Sequence, residues 1–306
     1  MNAADGPRCL NAMKILITGA SGFIGHHLVK RLSLSQEVFA LIHGRSVDLP
    51  GGSVSIIPSD LAGFLDTGAL PEHIDVIIHL AQANTAFPEA ANELFAVNTR
   101  AAQRLLDYGR RAGARQFILA SSGDVYGRRS GPCRESDAAV PKSFYAATKY
   151  AAELLAQSYS DYLQPCILRL FQPYGPGQRN RLVSKLADRM RRGDTVQLHK
   201  DDHPRMTPIY LSDLIHVIEG AVDSNYAGVM NVAGDRTVSM RELAVEIGKV
   251  VGQTPVFEET GEESGDAIGD NALMKKVFGQ WPMVTLEEGL SLMLNSGEEA
   301  GCLTHV

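Results

Sequence analysis

The segment T-G-A-S-G-F-I-G at residues 18–25 constrains the fold more strongly than any other part of the sequence. It follows the short apolar run KILIT (14–18) and begins a helical pattern that extends to about Leu32. EVFALI (37–42) then has the composition of a second strand. A strand, a glycine-rich turn, a helix and another strand form a βαβ unit. We therefore expect an α/β protein with a parallel sheet.

The alternation of strands and helices continues to about residue 170. Further strands are predicted at VSIIPSD (54–60), DVIIHLAQA (75–83), ARQFILASS (114–122) and CILRL (166–170), and helices at Glu89 to Ala112 and Phe144 to Leu163. The alternation then fails in the loop FQPYGPGQRN (171–180), which leads into a basic amphipathic helix from Leu182 to Arg192. We expect a second lobe to begin here, with the chain returning to the first lobe at about residue 207.

The three glycines of the first loop have different expected roles. Gly19 permits the tight turn, Gly22 allows the main chain to approach a pyrophosphate, and Gly25 allows the helix to pack on the strand. The N-terminus of that helix offers free N–H groups and a partial positive charge to an anion. Because the loop lies between a strand and a helix, it predicts a site for a nicotinamide dinucleotide, with Ser21, Phe23 and Ile24 in the same turn.

The end of the second strand distinguishes the two nicotinamide cofactors. An acidic residue there binds the ribose 2′-hydroxyl of NAD, whereas an arginine accommodates the 2′-phosphate of NADP. This strand ends at His43-Gly44-Arg45, and Arg45 favours NADP(H). NAD(H) remains the alternative, with Arg45 solvated and Asp48 close behind it. Asp60 and Leu61, after the third strand, are candidates for the adenine edge.

A tyrosine and a lysine are spaced for proton transfer. Tyr145 and Lys149 in Y-A-A-T-K lie one turn apart on one face of the predicted helix. Tyrosine has an ordinary pKa of about 10, so proton exchange with a sugar hydroxyl near neutral pH needs a nearby cation. Lys149 and a positive nicotinamide ring can supply it. Ser122, at the end of the preceding strand, is placed to bind the same oxygen.

Seven motifs now occur in a characteristic order over about residues 14–235: TGASGFIG, HLAQA, VNTRAAQRLL, SSGDVYG, YAATK, RLFQPYGPGQ and RMTPIYLSDL. With them the chain resembles the extended short-chain dehydrogenase/reductases of the NAD-dependent epimerase/dehydratase family. The resemblance implies a Rossmann-type doubly wound parallel sheet with a smaller C-terminal substrate-binding lobe. It also implies a homodimer, and a nucleotide-diphosphate sugar as substrate.

The resemblance assigns roles to individual residues. Ser122, Tyr145 and Lys149 match the catalytic triad, and Asn98 matches an asparagine near the active site. Leu80, Ala81 and Gln82, at the HLAQA strand end, join the cofactor-binding set. The expected dinucleotide-binding domain comprises residues 13–170 and about 207–235, and the substrate-binding lobe about 171–206 and 236–306. Residues 1–12 are expected to be a disordered leader.

Departures from the family pattern narrow the reaction. Family 4,6-dehydratases usually carry an acidic pair, or at least a Glu, after the catalytic Ser or Thr, but here Gly123 and Asp124 follow Ser122. Asp124 is thus a lone candidate acid or base, which serves an elimination poorly. Gln172 replaces an asparagine that contacts substrate phosphate. Arg205 matches the arginine that clamps the diphosphate, and Arg181 is a second substrate-binding candidate.

Three reactions fit this scaffold. We favour an NADPH-dependent reductase of a nucleotide-linked 4-keto-6-deoxy sugar, because of Arg45, the missing dehydratase acid and the resemblance of SSGDVYG and GPGQ to GDP-4-keto-6-deoxy-mannose reductases. The alternative is a nucleotide-sugar 4-epimerase with bound NAD. A 4,6-dehydratase and a non-catalytic dinucleotide-binding protein rank lower.

Composition excludes other classes of function. The chain has 29 basic and 35 acidic residues, a net charge of −6 that argues against nucleic-acid binding. Cys9, Cys133, Cys166 and Cys302 are far apart and lack metal-ligand spacing. The polar cluster 199–203 is typical of a turn, so we expect no metal. Without a signal peptide or a long apolar run, a cytoplasmic protein that does not bind membranes is expected.

Overall fold

The computed structural model describes residues 12–44, 49, 52–63 and 65–295. The β-strands are β1 (Lys14–Thr18), β2 (Glu37–Ile42), β3 (Val54–Pro58), β4 (Val76–His79), β5 (Gln116–Ser122), β6 (Gln164–Leu170), β7 (Pro173–Tyr174), β8 (Val196–Leu198), β9 (Arg205–Met206), β10 (Ile209–Tyr210), β11 (Gly228–Val232), β12 (Val238–Ser239) and β13 (Phe257–Glu259). The α-helices are α1 (Phe23–Leu32), α2 (Ala91–Phe95), α3 (Ala101–Ala112), α4 (Phe144–Gln157), α5 (Leu182–Arg191), α6 (Leu211–Asp223), α7 (Met240–Val251), α8 (Ala272–Phe278) and α9 (Leu286–Asn295).

A seven-stranded sheet has the strand order β11-β6-β5-β4-β1-β2-β3. The pairs β1–β2, β1–β4, β2–β3 and β4–β5 are all parallel. In this arrangement the order reverses beside β1, which is the doubly wound pattern that binds ligands beyond the carboxyl ends of its strands. The predicted Rossmann-type doubly wound parallel sheet is therefore confirmed.

The central strands are continuous apolar runs because helices cover both faces of the sheet. Ile15, Leu16 and Ile17 of β1 and Ile77 and Ile78 of β4 are all fully buried. Helix α1 buries one face through Gly25, Leu28, Val29 and Leu32. This packing fixes the turn between β1 and α1, where the candidate cofactor loop lies.

The described chain divides into two compact units. The first comprises the described residues within Met1–Ala120, Ala151–Cys166 and Ala221–Gly228. The second comprises those within Ser121–Tyr150, Ile167–Gly220 and Val229–Val306.

The second unit has its own apolar cluster, to which α5, α7 and α9 contribute side chains. Short ladders extend it: β7 pairs with β10 and β8 with β13 in parallel, and β9 pairs with β12 in antiparallel orientation. None of the helices in the described part of the chain is long and apolar enough to cross a membrane.

Several predicted elements differ in their bounds from the observed ones. The helix expected over residues 144–163 ends at Gln157, and two further departures concern the candidate cofactor site. The helix expected over residues 89–112 is divided by a π-helical turn, Ala96–Arg100, between α2 and α3. The strand expected over residues 75–83 ends at His79, where the Leu80 N–H donates to the carbonyl of Thr18 at 3.3 Å and the Ala81 N–H to the Thr18 hydroxyl at 3.2 Å. The second departure lies at the carboxyl end of β4, where hydrogen bonds to Thr18 replace the regular strand pairing, and the first lies in the helical segment that follows β4.

Candidate functional site

The turn between β1 and α1 fits a bound pyrophosphate. Gly19 has a φ of +68°, and a Cβ there would lie 2.8 Å from the backbone nitrogen of Ala81. A Cβ on Gly25 would lie 2.1 Å from the carbonyl oxygen of Gly19. Gly22 is the N-cap of α1 and no side chain caps it, so the first N–H groups of the helix can bind an anion. Ser21, Phe23 and Ile24 are partly exposed in the same turn.

A buried pair that the sequence analysis does not identify supports this turn. The Thr18 hydroxyl lies 2.7 Å from Nδ1 of His79, and both residues are fully buried. Thr18 also accepts the N–H of Ala81. The pair therefore joins the ends of β1 and β4, from which Gly19 and the candidate residues Leu80, Ala81 and Gln82 continue. His79 is the first residue of the HLAQA motif, so the motif is the sequence feature from which its role could have been predicted.

Asn98 supports the same strand end from the π-helical turn. Its Oδ1 accepts the Ala83 N–H at 2.8 Å and its Nδ2 donates to the Ala83 carbonyl at 3.0 Å. Asn98 is fully buried. These two bonds show how the side chain holds the segment that follows β4; π-helical turns often occur at functional sites.

The ends of β2 and β3 place two candidate cofactor residues together. His43 Nε2 lies 3.8 Å from Oδ1 of Asp60. Asp60 Oδ1 also accepts the Ala62 N–H, closing a turn that buries Leu61. Arg45, on which the preference for NADP(H) rests, lies outside the described residues.

Ser122, Tyr145 and Lys149 are brought together within the second unit. Ser143 caps α4, with its Oγ accepting the Ala146 N–H at 3.1 Å, so Tyr145 lies in the first turn of the helix. The hydroxyl of Ser122, at the end of β5, forms a hydrogen bond with the Tyr145 phenol. Lys149 follows one turn later on the same face and is fully buried. The arrangement is suited to moving a proton at a substrate oxygen.

The electrostatic environment of Tyr145 has opposing contributions. Burial, with the charge of Asp124, raises the pKa of Tyr145 to about 12, although Arg181 and the Ser122 hydrogen bond lower it. Asp124 is exposed, and its N–H donates to the Ser122 hydroxyl at 3.1 Å. A tyrosine with this pKa is almost entirely protonated near neutrality. Further positive charge nearby must lower the pKa before the phenolate, the form that accepts a proton, is available.

Position 123 cannot hold a side chain without rearrangement. A Cβ on Gly123 would lie 2.6 Å from the ring of Phe171. Phe171 is 2% exposed and its ring stacks on Tyr126. A Cβ on Gly269 would lie equally close to the opposite edge of the ring. Phe171 thus occupies the space that an acidic side chain after Ser122 would need.

The three candidate substrate-binding residues lie in different local settings of the second unit. Gln172 has a φ of 45°, a region that residues other than glycine and asparagine seldom adopt. Arg181 is the exposed N-cap residue of α5, with its N–H bonded to the Ser184 hydroxyl at 3.1 Å. Arg205 lies on β9 opposite Ser239 of β12, and its side chain is exposed.

In the described ranges, no three His, Cys, Asp or Glu side chains gather as potential metal ligands. His203 in the 199–203 cluster instead lies 2.6 Å from Asp266 through its Nδ1.

Curated relatives and solved structures align along nearly the whole chain. A probable UDP-glucuronate 4-epimerase of Rhizobium meliloti is 27% identical over 91% of this chain and 95% of its own length. The UDP-glucuronic acid 4-epimerase of Bacillus cereus, solved as a tyrosine-to-phenylalanine mutant in complex with UDP-4-deoxy-4-fluoro-glucuronic acid and NAD, is 25% identical, with a TM-score of 0.84 over 94% of this chain and 100% of its own. MoeE5, solved in complex with UDP-glucose and NAD, is 30% identical, with a TM-score of 0.82 over 94% of this chain and 99% of its own.

The family itself follows from a sequence model of the NAD dependent epimerase/dehydratase family, which matches residues 15–233. That range covers more than half of the chain and contains the glycine loop, Ser122, Tyr145 and Lys149. The chain therefore belongs to the NAD dependent epimerase/dehydratase family, and it is an enzyme of the extended short-chain dehydrogenase/reductase type, as its motifs predict.

Proposed function

We propose that the protein is a UDP-sugar 4-epimerase that uses bound NAD. The observation that carries this proposal is the Ser122–Tyr145 hydrogen bond with Lys149 one turn further along α4. A tyrosine in this setting can exchange a proton with a substrate hydroxyl while the carbon that carries that hydroxyl gives up or accepts a hydride. The 4-epimerases among the relatives, and the NAD in both solved relatives described above, favour this reaction. They support the alternative prediction better than the NADPH-dependent reductase that the sequence analysis ranks first.

The fit of NAD rests on residues of the first unit. A Cβ on Gly19 or Gly25 would collide with main-chain atoms, so the tight turn requires glycine at both positions. The uncapped start of α1 at Gly22 offers N–H groups to the pyrophosphate. His43 and Asp60 are the nearest described candidates for the adenosine end. When bound, NAD supplies the acceptor and donor of the hydride at C4.

The proton at the 4-hydroxyl is assigned to Tyr145. Its phenolate takes that proton as C4 is oxidised, and returns it when C4 is reduced from the opposite face. The Ser122 hydroxyl orients the sugar oxygen, while the positive end of α4 and Lys149 favour the phenolate. Arg205 and Arg181 are assigned to the diphosphate and the neighbouring part of the substrate.

Dehydration is less well supported. It needs a group that removes a proton from C5 and a donor for the leaving hydroxyl. The ring of Phe171 fills the space beside Gly123, so only Asp124 is available after Ser122. One aspartate does not supply the acidic pair that this elimination typically uses.

The oligomeric state and the domain roles complete the proposal. We assign a homodimer, as the resemblance to the family implies, and take Phe95 of α2 and Leu154 of α4, whose apolar side chains are 49% and 50% exposed, as candidates for its interface. Light scattering should then give about twice the 33.1 kDa mass of the chain; a monomer mass at micromolar concentration would contradict it. The glycine-loop domain binds the dinucleotide, and the C-terminal lobe binds the UDP-sugar.

The proposed reaction can be tested on the purified protein. The dinucleotide released by denaturation is identified by mass, and the untreated protein is incubated separately with UDP-glucose and UDP-glucuronate. We expect NAD in the protein and conversion of at least one substrate to its C4 epimer, with no added cofactor. A 4-keto-6-deoxy sugar nucleotide supplied with NADPH is the control for the reductase. Net NADPH oxidation, or a UDP-pentose as the only product, would refute the epimerase.

The pH profile of kcat/KM should shift in opposite directions in two variants. Asp124 raises the pKa of Tyr145, so Asp124→Asn should lower that pKa and move the rising limb of the profile to lower pH. Arg181 lowers the same pKa, so Arg181→Gln should move the limb to higher pH. Both variants retain the burial of Tyr145, which is the largest contribution. If the rising limbs of both variants move in the same direction, or if neither moves, Asp124 and Arg181 do not have these opposite effects on the pKa of Tyr145.

A further inference from the structure

Asp266 is a buried carboxylate that the proposed reaction does not use. It is 5% exposed, and its carboxylate bonds to Gly131 on one segment of the second unit and to Arg205 and His203 on another. Its Oδ1 accepts the Arg205 N–H at 2.9 Å and lies 2.6 Å from His203 Nδ1, and its Oδ2 accepts the Gly131 N–H at 3.4 Å. A buried carboxylate is costly unless hydrogen bonds satisfy it. Its partners here include the main chain of Arg205.

Main-chain bonds reinforce this position. The Asp266 N–H donates to the Arg129 carbonyl at 2.8 Å, and the Ala267 N–H donates to the Arg205 carbonyl at 2.8 Å. The main chain of Arg205 is therefore held at its N–H by the Asp266 side chain and at its carbonyl by the Ala267 N–H. Its side chain is exposed. The main chain is fixed while the charged group is available.

The charge state of Asp266 is consistent with this role. Burial raises the pKa of its carboxyl, but hydrogen bonds from the Arg205 N–H, His203 and the Gly131 N–H outweigh burial and hold the pKa below its ordinary value. The side chain is thus an ionised acceptor throughout the neutral range. An asparagine in its place has only one acceptor oxygen, so its amide NH₂ would face one of these N–H donors and that hydrogen bond would be lost.

We infer that Asp266 is a positioning residue that sets the affinity for the substrate diphosphate by fixing the main chain from which Arg205 projects. The inference rests on the proposed function, because it takes Arg205 to bind the UDP diphosphate. Charge-assisted bonds to a diphosphate depend on the placement of the guanidinium. Small displacements of the Arg205 backbone should therefore weaken UDP binding and raise KM, while kcat changes little.

A double-mutant cycle on UDP binding tests this inference. Dissociation constants for UDP are measured by calorimetry on the dinucleotide-bound protein as purified, for wild type, Asp266→Asn, Arg205→Ala and the double variant. We expect Asp266→Asn to weaken UDP binding about tenfold, as for residues in one network. In the Arg205→Ala background the same change should have almost no further effect. An equal loss in both backgrounds would indicate general destabilisation and would overturn the inference.

Asp213→Asn is the matched control. Asp213 is also a buried carboxylate of the second unit, and it accepts the Trp281 Nε1–H at 2.9 Å and the Val284 N–H at 3.1 Å. This variant should lose stability while its affinity for UDP stays within about twofold of wild type, since its partners do not include Arg205. Loss of UDP affinity equal to that of Asp266→Asn would count against a specific role for Asp266.

The remaining outcomes separate the two proposals. If Asp266→Asn does not fold, His203→Gln enters the same cycle, because it disturbs one partner and leaves the carboxylate in place. We then expect a loss of about threefold that disappears with Arg205→Ala, and an unchanged dissociation constant would overturn the inference. Wild-type protein that fails to bind UDP would refute the proposed function itself. Wild-type binding without coupling would refute only the role of Asp266.

Discussion

Replacing Tyr145 by phenylalanine is expected to reduce kcat by about 10²–10⁴-fold, the range typical of a lost proton-transfer group. The ring and its packing on α4 remain, and only the hydroxyl that bonds to Ser122 is removed. NAD content and UDP affinity should therefore stay within about twofold of wild type. Initial rates of C4 epimer formation at saturating UDP-sugar measure the first effect, and calorimetry measures the second.

Tyr150→Phe is the control for that experiment. Tyr150 lies on the same helix, and its side chain packs against the cluster that contains Val125 and Tyr126. It should keep a kcat near that of wild type, because its hydroxyl is not assigned to the reaction. Equal rates for Tyr145→Phe and wild type would refute the role of the phenol. Equal losses in both tyrosine variants would indicate a general effect of changing α4.

The parts of the site that the sequence predicts have a local pattern. The glycine loop consists of consecutive residues between a strand and a helix, and Tyr145 and Lys149 are separated by one helical turn. Each pattern indicates its own local geometry, so the turn at Gly19 and the shared face of α4 can be predicted without knowledge of the tertiary contacts that support them. The parallel sheet follows similarly from short apolar runs that are buried on both faces.

Other parts of the site depend on contacts between distant residues. Asp266 is more than sixty positions from His203 and Arg205, and no spacing rule relates them. Strands β9 and β12 have two residues each, too few for an alternation pattern. The exclusion of a side chain at Gly123 follows from the ring of Phe171, which the sequence cannot place there.

The cofactor preference shows a different difficulty. One arginine after the second strand favours NADP(H) only if its guanidinium faces the ribose, and a sequence position does not specify that orientation. The NAD in the two solved relatives described above therefore weighs more than Arg45 in the proposal. Replacing NADP(H) by NAD as the proposed cofactor also changes the proposed reaction. A reductase consumes NADPH, whereas an epimerase regenerates its NAD in every turnover.

The second large effect is expected from Gly19→Ala, which should weaken NAD binding about 100-fold, as for a displacement of about 1 Å in a positioned group. The new Cβ would lie 2.8 Å from the backbone nitrogen and 2.9 Å from the Cα of Ala81. Because these are main-chain atoms, the turn between β1 and α1 must move. The pyrophosphate site at the start of α1 then moves with it. NAD retained per protomer after purification, and NAD affinity of the stripped protein, measure this effect.

Gly252→Ala separates that displacement from backbone strain. Gly252 also has a φ of +68°, at the C-terminal end of α7, but a Cβ there has nothing within 4 Å. Both alanines experience the left-handed conformation, which costs about 1–2 kcal/mol of stability. Gly252→Ala should therefore lose stability in urea unfolding and keep its NAD. If Gly19→Ala retains as much NAD as Gly252→Ala, the close approach of Gly19 to Ala81 does not shape the dinucleotide site. If only Gly19→Ala loses NAD, the loss follows from the contact with Ala81, because the two positions share the same φ.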